Sequence, residues 1–467
     1  MNDLKKIPIF VVFLNRNPMI KREKYEKKIT EAFKFLPIVV LIGARQVGKS
    51  TAVREFGKSF KYYIEINLER QADLKQLFTQ NIDVHKTCEK LSGTLGIPII
   101  EGETLLFIDE IQVCQEAIMA LRYFKEDYPE LHVIAAGSLL EFALEELPSF
   151  AVGRIRSLYL YPFSFDEFLW AQGLDLQVSY KKGATSTEPL TEAAHKSLTD
   201  QLKTFYMVGG MPAAVNEWME THSYMEVSHV HRDIIEAYQD DFSKYKKRIS
   251  PTLLRQVLRS VALQAGCKFV YSAAIQDVHS SVVREALHLL TLAGLITPVK
   301  HSDGSGLPLG AEENNKYVKY LFFDLGVMQT MLNTPASDIL MASDIDFVNK
   351  DPASEMFAGL ELLKYGDCYM KGEMYYWQNI GKNNNAEVDY LCAKAGKVLP
   401  VEVKASTQGS MQSLWIFMRK RKLDYAVRTS LENFGQFDYY DPEQDFAQRH
   451  VDILPLYALS NLSAKME

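Results

Sequence analysis

Cysteine is scarce in this chain of 467 residues: there are five, Cys88, Cys114, Cys267, Cys368 and Cys392, and none forms a C-x-x-C pair. That scatter argues against a disulfide framework or a zinc site and suits a reducing cytoplasm. Positive charge is not in excess either. The formal net charge is −7, so the chain as a whole is no polycation built to coat nucleic acid, although a local basic face is compatible with it. Long apolar runs are missing as well. The N-terminal stretch Ile7–Leu14 has only eight residues, against the about 20 that a membrane helix needs. It follows Lys5 and Lys6 as a signal-peptide core would, but no small-residue cleavage site comes after it. The other readings are an edge strand, or an extension ahead of an internal start at Met19. No membrane partner is expected, and there is no internal repeat or long low-complexity tract.

What is present is ordinary globular material, 47% apolar and 24% charged. The length suits about three domains. Residues 1–35 read as a lead-in, basic and helix-like from 20 to 36. Apolar runs without alternation then recur at Ile38–Ile42, Tyr63–Leu68, Thr104–Ile108 and His132–Ala136, separated by helix-compatible stretches. That rhythm predicts parallel strands covered on both faces, in a doubly wound α/β core over 36–160. Residues 161–245 read as helical, with Lys181–Pro189 as an exposed polar loop. In 246–312 the succession changes: helix over Thr252–Gln264, short link at Val270–Ile275, helix over Val278–Ala293, strand at Leu295–Val299, turn-rich Ser302–Gly310. That order resembles a winged helix-turn-helix. Residues 313–467 hold a long helix around Glu355–Lys364, then strands and further helices.

Gly43-Ala44-Arg45-Gln46-Val47-Gly48-Lys49-Ser50-Thr51 matches the phosphate-binding pattern G-x-x-x-x-G-K-[ST], after a predicted strand and ahead of a predicted helix. The glycines let backbone N–H groups turn toward phosphate oxygens, and the helix N-terminus adds partial positive charge. Lys49 is expected to reach the β- and γ-phosphates of ATP, and Ser50 to ligate Mg2+. The run Leu105–Glu110 ends an apolar strand in two acids. Asp109 would hold the magnesium and Glu110 would take the proton of the attacking water. Alone, the pair could equally be acids capping a helix after a core strand. Ser138, at the tip of the strand His132–Ala136, would sense the γ-phosphate, cap a helix, or both. Arg154 and Arg156 are candidates for a charge-stabilising finger on a neighbouring subunit's nucleotide, which makes a homo-oligomer an expected partner.

The runs IVVLIGARQVGKST, LLFIDEIQ, VIAAGSLLE and GRIRSLYLYPFSFDEFL, with Gly-Gly-Met-Pro at Gly209–Pro212, resemble a family of predicted prokaryotic AAA-superfamily ATPases. The resemblance covers the chain after about Met19. Members of that family begin near an Ile-Lys-Arg segment, here Ile20-Lys21-Arg22. Ala44 and Ser50 stand where the family usually has proline and threonine; neither change removes a phosphate or metal contact.

In the last third, Glu387–Leu391 and Pro400–Lys404 alternate like half-buried strands around a turn at Lys394–Lys397. A two-residue loop at Ala395-Gly396 sets Asp389 opposite Glu402, with Lys404 two residues on. Val388, Tyr390, Val401 and Val403 would fill the other face. Opposed carboxylates repel unless a cation lies between them, and Mg2+ suits them, with the lysine assisting a water nucleophile. The set Glu355, Asp389, Glu402, Lys404 is similar to the PD-(D/E)xK nuclease signature, which the ATPase family commonly carries. By that resemblance Asp389 and Glu402 are metal ligands, Lys404 the catalytic lysine and Glu355 an accessory acid. The plain alternative is a solvated Glu-x-Lys ladder on a strand face.

Lys244–Arg248, Arg255, Arg259 and Lys268 make a basic neighbourhood beside the winged-helix region, and His279, Arg284 and His288 lie on its second helix. DNA or RNA is therefore an expected partner, although winged helices also bind proteins. The expected fold is α/β: a P-loop AAA-type parallel sheet, a helical lid, a winged helix and a C-terminal restriction-endonuclease-like α/β domain. The expected function is a cytoplasmic ATPase that couples ATP to nucleic-acid processing or defence. The rival is a signalling or regulatory ATPase whose last domain binds without cleaving. Because Ile7–Leu14 lies ahead of every motif, a chain shortened to begin at Met19 is expected to match the full chain in melting temperature and ATP affinity. A large loss of thermal stability would make that run a needed strand.

Overall fold

The computed structural model describes residues 22–78, 83–145, 155–245, 249–336, 351–380, 386–404 and 411–463. The apolar run Ile7–Leu14, Met19, Ile20, Lys21, Arg154 and the basic residues Lys246, Lys247 and Arg248 lie outside them.

Five parallel strands form the first sheet in the order β2-β3-β4-β1-β5. They are β1 (Ile38–Ile42), β2 (Tyr62–Asn67), β3 (Thr104–Asp109), β4 (His132–Ala136) and β5 (Arg156–Tyr159). Burial on both faces explains the unbroken apolar runs. Val39 and Leu41 of β1 pack with Tyr25 and Ile29 of α1 (Glu23–Phe33) and with Val53 of α2 (Lys49–Gly57). Ile38, Val40 and Ile42 pack with α3 (Val84–Leu95) and α4 (Gln115–Asp127) on the other face. A short α5 (Leu140–Glu145) follows β4. The four-residue β5 is not announced by the sequence, because such a strand is too short to show a period.

Five helices come next: α6 (Phe165–Ala171), α7 (Asp175–Gly183), α8 (Glu192–Val208), α9 (Pro212–Thr221) and α10 (Tyr224–Asp241). Ser164 and Glu167 form a capping box at the start of α6. The expected exposed loop begins later than Lys181, which lies on α7 and is fully buried. Its ammonium meets Asp166, the carbonyl of Tyr457 at 3.0 Å and Ser460 Oγ at 2.9 Å. A charged side chain in a polar run reads as solvated; here the C-terminal end of the chain supplies acceptors that no local pattern shows.

Helices α11 (Pro251–Leu263), α12 (Tyr271–Ala274) and α13 (Ser280–Leu292) lead into the antiparallel hairpin of β6 (Ile296–Ser302) and β7 (Glu313–Phe322). After α14 (Leu325–Met331) comes the long α15 (Asp351–Tyr365). The remaining strands are β8 (Met374–Gln378), β9 (Glu387–Lys394), β10 (Lys397–Val403), β11 (Tyr425–Ser430), β12 (Gly435–Asp441) and β13 (Ala447–Pro455). Helix α16 (Gln412–Arg421) crosses between the parallel β10 and β11, and α17 (Ser460–Ser463) closes the described chain. The eight-stranded order is β12-β13-β11-β10-β9-β8-β6-β7. A division at 312/313 therefore falls inside one sheet: β6, before it, pairs in parallel with β8, after it. Met356, Phe357 and Leu360 of α15 cover one face of this sheet, and Leu414, Phe417 and Met418 of α16 cover the other. Among the described residues no helix is long and apolar enough to cross a membrane.

Removing one partner from a buried ion pair leaves the other charge desolvated, and without Lys181 the buried Asp166 would keep only the half-exposed Lys182 as a cation, 3.2 Å away. Lys181→Met is therefore expected to destabilise the chain by about 3–5 kcal/mol in urea denaturation. Adding Asp166→Asn, which removes the stranded charge, should recover part of that loss. Equal stability of Lys181→Met and the parent would show that the Lys181 contacts do not hold the helical segment to Tyr457 and Ser460.

Candidate functional site

The phosphate loop joins β1 to α2. Its shape depends on two glycines, Gly43 at φ 154° and Gly48 at φ 92°. A Cβ on Gly43 would lie 2.2 Å from the carbonyl oxygen of Leu160, so only glycine fits there. Lys49, the first residue of α2, is buried and donates from Nζ to the carbonyls of Gly43 at 2.7 Å and Ala44 at 2.8 Å. Burial pulls its ammonium down to about 8, against the opposing pull of Glu110 and Asp109. Ser50 Oγ donates to Asp109 Oδ2 at 3.1 Å, which brings together the two oxygens expected to hold magnesium. Asn67, on the neighbouring β2, also donates to that oxygen at 3.3 Å. Burial, then Glu110, pushes the Asp109 carboxyl above its usual range. A divalent cation would relieve that penalty.

Glu110 follows β3 in the left-handed region, at φ 50°. Glutamate seldom adopts that conformation, and its retention sets the direction in which the carboxylate leaves the strand. Gln112 donates to Glu110 Oε2 at 2.6 Å, and Ser138 Oγ lies 3.5 Å from the same oxygen. Ser138 is thus at the site, beside the carboxylate expected to activate water. Gln46 and Thr51 are exposed, and Val47 and Ala44 are buried in the core. Arg45 makes an ion pair with Asp241 at the end of α10, 3.0 Å away. Arg45, Ser138, Tyr238 and Asp241 line a small cavity beside the loop. Arg156 opens β5, with its guanidinium 5.2 Å from the ring of Tyr369.

Three neighbours outside the motif brace the loop. Arg22 is buried and donates to the carbonyls of Val47 at 3.0 Å and Tyr161 at 2.8 Å, and to Glu167 at 3.0 Å. A Cβ on Gly48 would touch Pro212 at 3.6 Å, which puts the Gly-Gly-Met-Pro segment against the loop. Gly294, at φ 71° after α13, packs so tightly that a Cβ there would lie 3.2 Å from Ala44 N. The phosphate loop therefore touches both the helical segment and the start of the β6–β7 hairpin.

The second constellation lies in the eight-stranded sheet. β9 and β10 pair in the register that the turn implies, with Lys394 opposite Lys397 and Tyr390 opposite Val401. The expected single apolar face needs correcting. Tyr390, Val401 and Val403 pack in the main core, but Val388 packs with Trp377 and Phe417 in the cluster under α16. The pairing of β8 with β9 shifts between Tyr375 and Trp377, so β9 carries an extra residue there and its alternation breaks.

Glu402 is buried in β10. Its Oε1 pairs with Lys404 at 2.7 Å, and its Oε2 has no hydrogen-bond partner among the described residues. Burial, then Asp389, pushes the Glu402 carboxyl up. Asp389 Oδ2 accepts from the backbone of Val403 at 2.8 Å. Oxygens of Asp389, Glu355 and Glu387 lie within 4.8 Å of one another. The cation inside this trio is Lys319 of β7, whose ammonium meets Glu355 Oε1 at 2.8 Å and Glu387 Oε1. Burial opposes the Lys319 charge, but Glu355, Glu387 and Asp389 outweigh it and hold the group well above its usual value. Burial pushes Glu355 and Glu387 up, against Lys319. Sequence reasoning missed Lys319 and Glu387. Glu387 could have been found, since it lies two residues before Asp389; Lys319 could not, since its place depends on the order of four strands.

The basic neighbourhood is partly consumed within the chain. Lys244 pairs with Asp241 at 2.8 Å, Lys268 lies 3.7 Å from the ring of Tyr317, Arg284 lies 5.2 Å from that of Tyr271, and His288 meets Glu145 at 2.9 Å. Arg259 reaches the carbonyl of Met331 at 3.3 Å, while Arg255 and His279 are exposed.

Comparison with known proteins agrees with the first site. Residues 36–169 match the family described as AAA domain. Residues 199–338 and 350–456 match two families described as domains of unknown function, DUF8612 and DUF4143. An uncharacterized protein of Haemophilus influenzae is 23% identical over 414 residues, covering 82% of this chain and 86% of that protein. Among solved structures, the Walker-type ATPase of Pyrococcus abyssi is similar at 16% identity and a TM-score of 0.44, over 68% of this chain and 99% of that one. RuvB of Thermotoga maritima is similar at 17% identity and a TM-score of 0.28, over 60% and 90%. The chain thus carries an AAA domain with a P-loop ATPase site on a parallel α/β sheet.

Lys49→Ala removes the one lysine of the loop and is expected to weaken ATP binding by about 1.5–3 kcal/mol, roughly 10- to 100-fold in Kd. Unchanged affinity in calorimetry would refute the site. Glu110→Gln should keep ATP affinity while lowering kcat by about 10²- to 10⁴-fold, because the carboxamide cannot take the proton of the water. Wild-type turnover would remove Glu110 from the mechanism.

Proposed function

We propose that this chain couples ATP binding and hydrolysis in its AAA domain to metal-dependent processing of nucleic acid by its C-terminal segment. The observation that carries this reading is the gathering of Glu355, Glu387, Asp389 and Glu402 around two lysines, on a sheet whose β6–β7 hairpin begins against the phosphate loop. At the ATP site, Ser50 and Asp109 would hold Mg2+, which supplies charge neutralisation for the phosphates. Lys49 adds positive charge at the β- and γ-phosphates, and Glu110 accepts the proton of the attacking water. Ser138 senses the γ-phosphate through its place beside Glu110. Arg154 or Arg156 serves the nucleotide of a neighbouring copy.

The second group offers carboxylate oxygens alone, which suits Mg2+ or Mn2+ over softer metals. The unpartnered Glu402 Oε2 is the kind of buried polar atom that a cation satisfies. Glu355, Glu387 and Asp389, whose oxygens lie within 4.8 Å of one another, would hold the ion, which would supply an activated water for phosphodiester hydrolysis; Glu402, expected as a ligand, lies outside that trio and would add its charge beside it. Lys404, paired to Glu402, would steady the water or the leaving charge. The nucleotide state reaches this group along two contacts. Gly294 packs on Ala44 at the root of the hairpin, and Asp324, just after β7 at the same end, accepts from Gly210 N at 2.7 Å, one residue from Met211-Pro212 beside the loop. Exposed Arg255 offers charge to a nucleic-acid backbone near the same hairpin.

One observation favours the rival, a regulatory ATPase with a non-cleaving module: Lys319 already supplies a cation to the trio. The deciding assay incubates the purified chain with single- and double-stranded DNA and RNA, Mg2+ or Mn2+, with and without ATP. Metal-dependent cleavage is expected, and Asp389→Ala should abolish it while sparing ATP hydrolysis. Absence of cleavage for every nucleic acid and metal would leave the regulatory reading standing.

A further inference from the structure

Lys319 is the one member of the C-terminal group that lies outside the β9–β10 hairpin and α15. It sits on β7, at the edge of the eight-stranded sheet, and is buried. Its ammonium contacts oxygens of Glu355 and Glu387. Those two acids and Asp389 hold their oxygens within 4.8 Å of one another. A cation placed among them would meet all three, and the ammonium already holds two of them, Glu355 and Glu387.

We propose that Lys319 is a built-in counter-cation of this group, and that a divalent metal binds Glu355, Glu387 and Asp389 only by displacing its ammonium. The inference rests on the metal-site reading above. Two cations cannot share the centre of the trio, because at about 4 Å they repel strongly in a partly buried setting. Lysine suits a displaceable role. Its charge is a point on a flexible four-carbon stem, with no bidentate grip on a carboxylate. The ring of Tyr376, 5.0 Å from the ammonium, is a second surface that receives a cation. One ammonium does not satisfy the group. Lys319 holds both Glu355 and Glu387, Lys404 pairs with Glu402, and the buried Oε2 of Glu402 has no hydrogen-bond partner among the described residues. Exchanging a single charge for a double one improves that balance. Among the described residues β7 pairs with β6 alone, so Lys319 lies on an edge strand and its side chain can shift without breaking a ladder hydrogen bond.

The test titrates Mn2+ into the nucleotide-free full chain, with free Mn2+ read by electron paramagnetic resonance. All proteins carry Asp109→Asn, which silences the metal position of the ATP site. Lys319→Met is expected to tighten the binding of one Mn2+ by about tenfold or more, a change of about 1.4 kcal/mol. Lys319→Arg keeps the charge pairing and grips the carboxylates bidentately, so it is expected to weaken Mn2+ relative to the Lys319 parent. Should Lys319→Met lose its folded circular-dichroism signal, the Arg comparison alone decides. Mn2+ affinity that is equal across the folded proteins overturns displacement while leaving the metal site in place. No Mn2+ bound to any of them overturns the metal-site reading and the displacement with it.

Discussion

A charge taken out of water has to be met by an opposite one, and in this chain the partners come from distant segments. Arg22, ahead of the first sheet, pairs with Glu167 on the helical segment. Lys181 on α7 pairs with Asp166 and is completed by Tyr457 and Ser460 near the C-terminus. Glu361 on α15 accepts from Phe165 N at 3.0 Å and pairs with Lys364, which in turn donates to the carbonyl of Phe163. Each of these pairs is weak as a source of net stability, because desolvation offsets attraction. Their effect is on specificity: a helical segment docked one turn out of place would strand several buried charges at once. The same constraint operates in both functional groups, where Lys49 and Lys319 are the buried cations.

This arrangement makes the phosphate loop a junction rather than an isolated pocket. Its backbone is braced by Arg22 on one side, Pro212 on a second and Gly294 on a third. An apolar cleft behind it is lined by Gly43, Ala44, Gly294, Phe323, Leu360 and Leu363. A loop that reshaped around a phosphate would meet the helical segment and the root of the β6–β7 hairpin, and it shares the cleft with Leu360 and Leu363 of α15. The packed core is a poor absorber of such shifts. Glu355 lies on α15, which lines that cleft, and its partner Lys319 lies on β7, which ends at Phe322, one residue before the cleft residue Phe323.

Legibility in the sequence followed the distance between interacting residues. The phosphate loop and the acid-tipped strand were readable because nine and six consecutive residues carry the pattern and the chemistry together. The β9–β10 register was readable because a two-residue turn sets it. The helical reading of 161–245 followed from amphipathic spacing, but Lys181 was misread as solvated, since its acceptors at Tyr457 and Ser460 lie about as far away in the chain as any residue can. The bulge in β9 was not readable because it is a property of the pairing with β8, not of β9 alone. It broke the expected alternation, so that Val388 packs under α16 while Tyr390 packs in the main core. A boundary at 312 was suggested by the turn-rich Ser302–Gly310, yet that stretch is the loop of a hairpin whose first strand continues the C-terminal sheet.

Charge balance bears on the choice between a cleaving and a non-cleaving C-terminal segment. A solvated Glu-x-Lys ladder, the plainest reading of Glu402 and Lys404, would leave both side chains in water. Instead Glu402 lies in a strand buried on both faces, and one of its oxygens lacks a partner among the described residues. Burying that oxygen costs on the order of 1–3 kcal/mol. A purely structural sheet gains nothing from the expense, because a leucine at that position would pack without it. A group that binds a cation does gain, since the added positive charge compensates the unpaired oxygen beside it. Lys319 points the other way only if it is permanent. An ammonium on an edge strand, held by two carboxylates rather than locked by a guanidinium fork, is a plug that keeps an acidic group folded until something more strongly charged arrives.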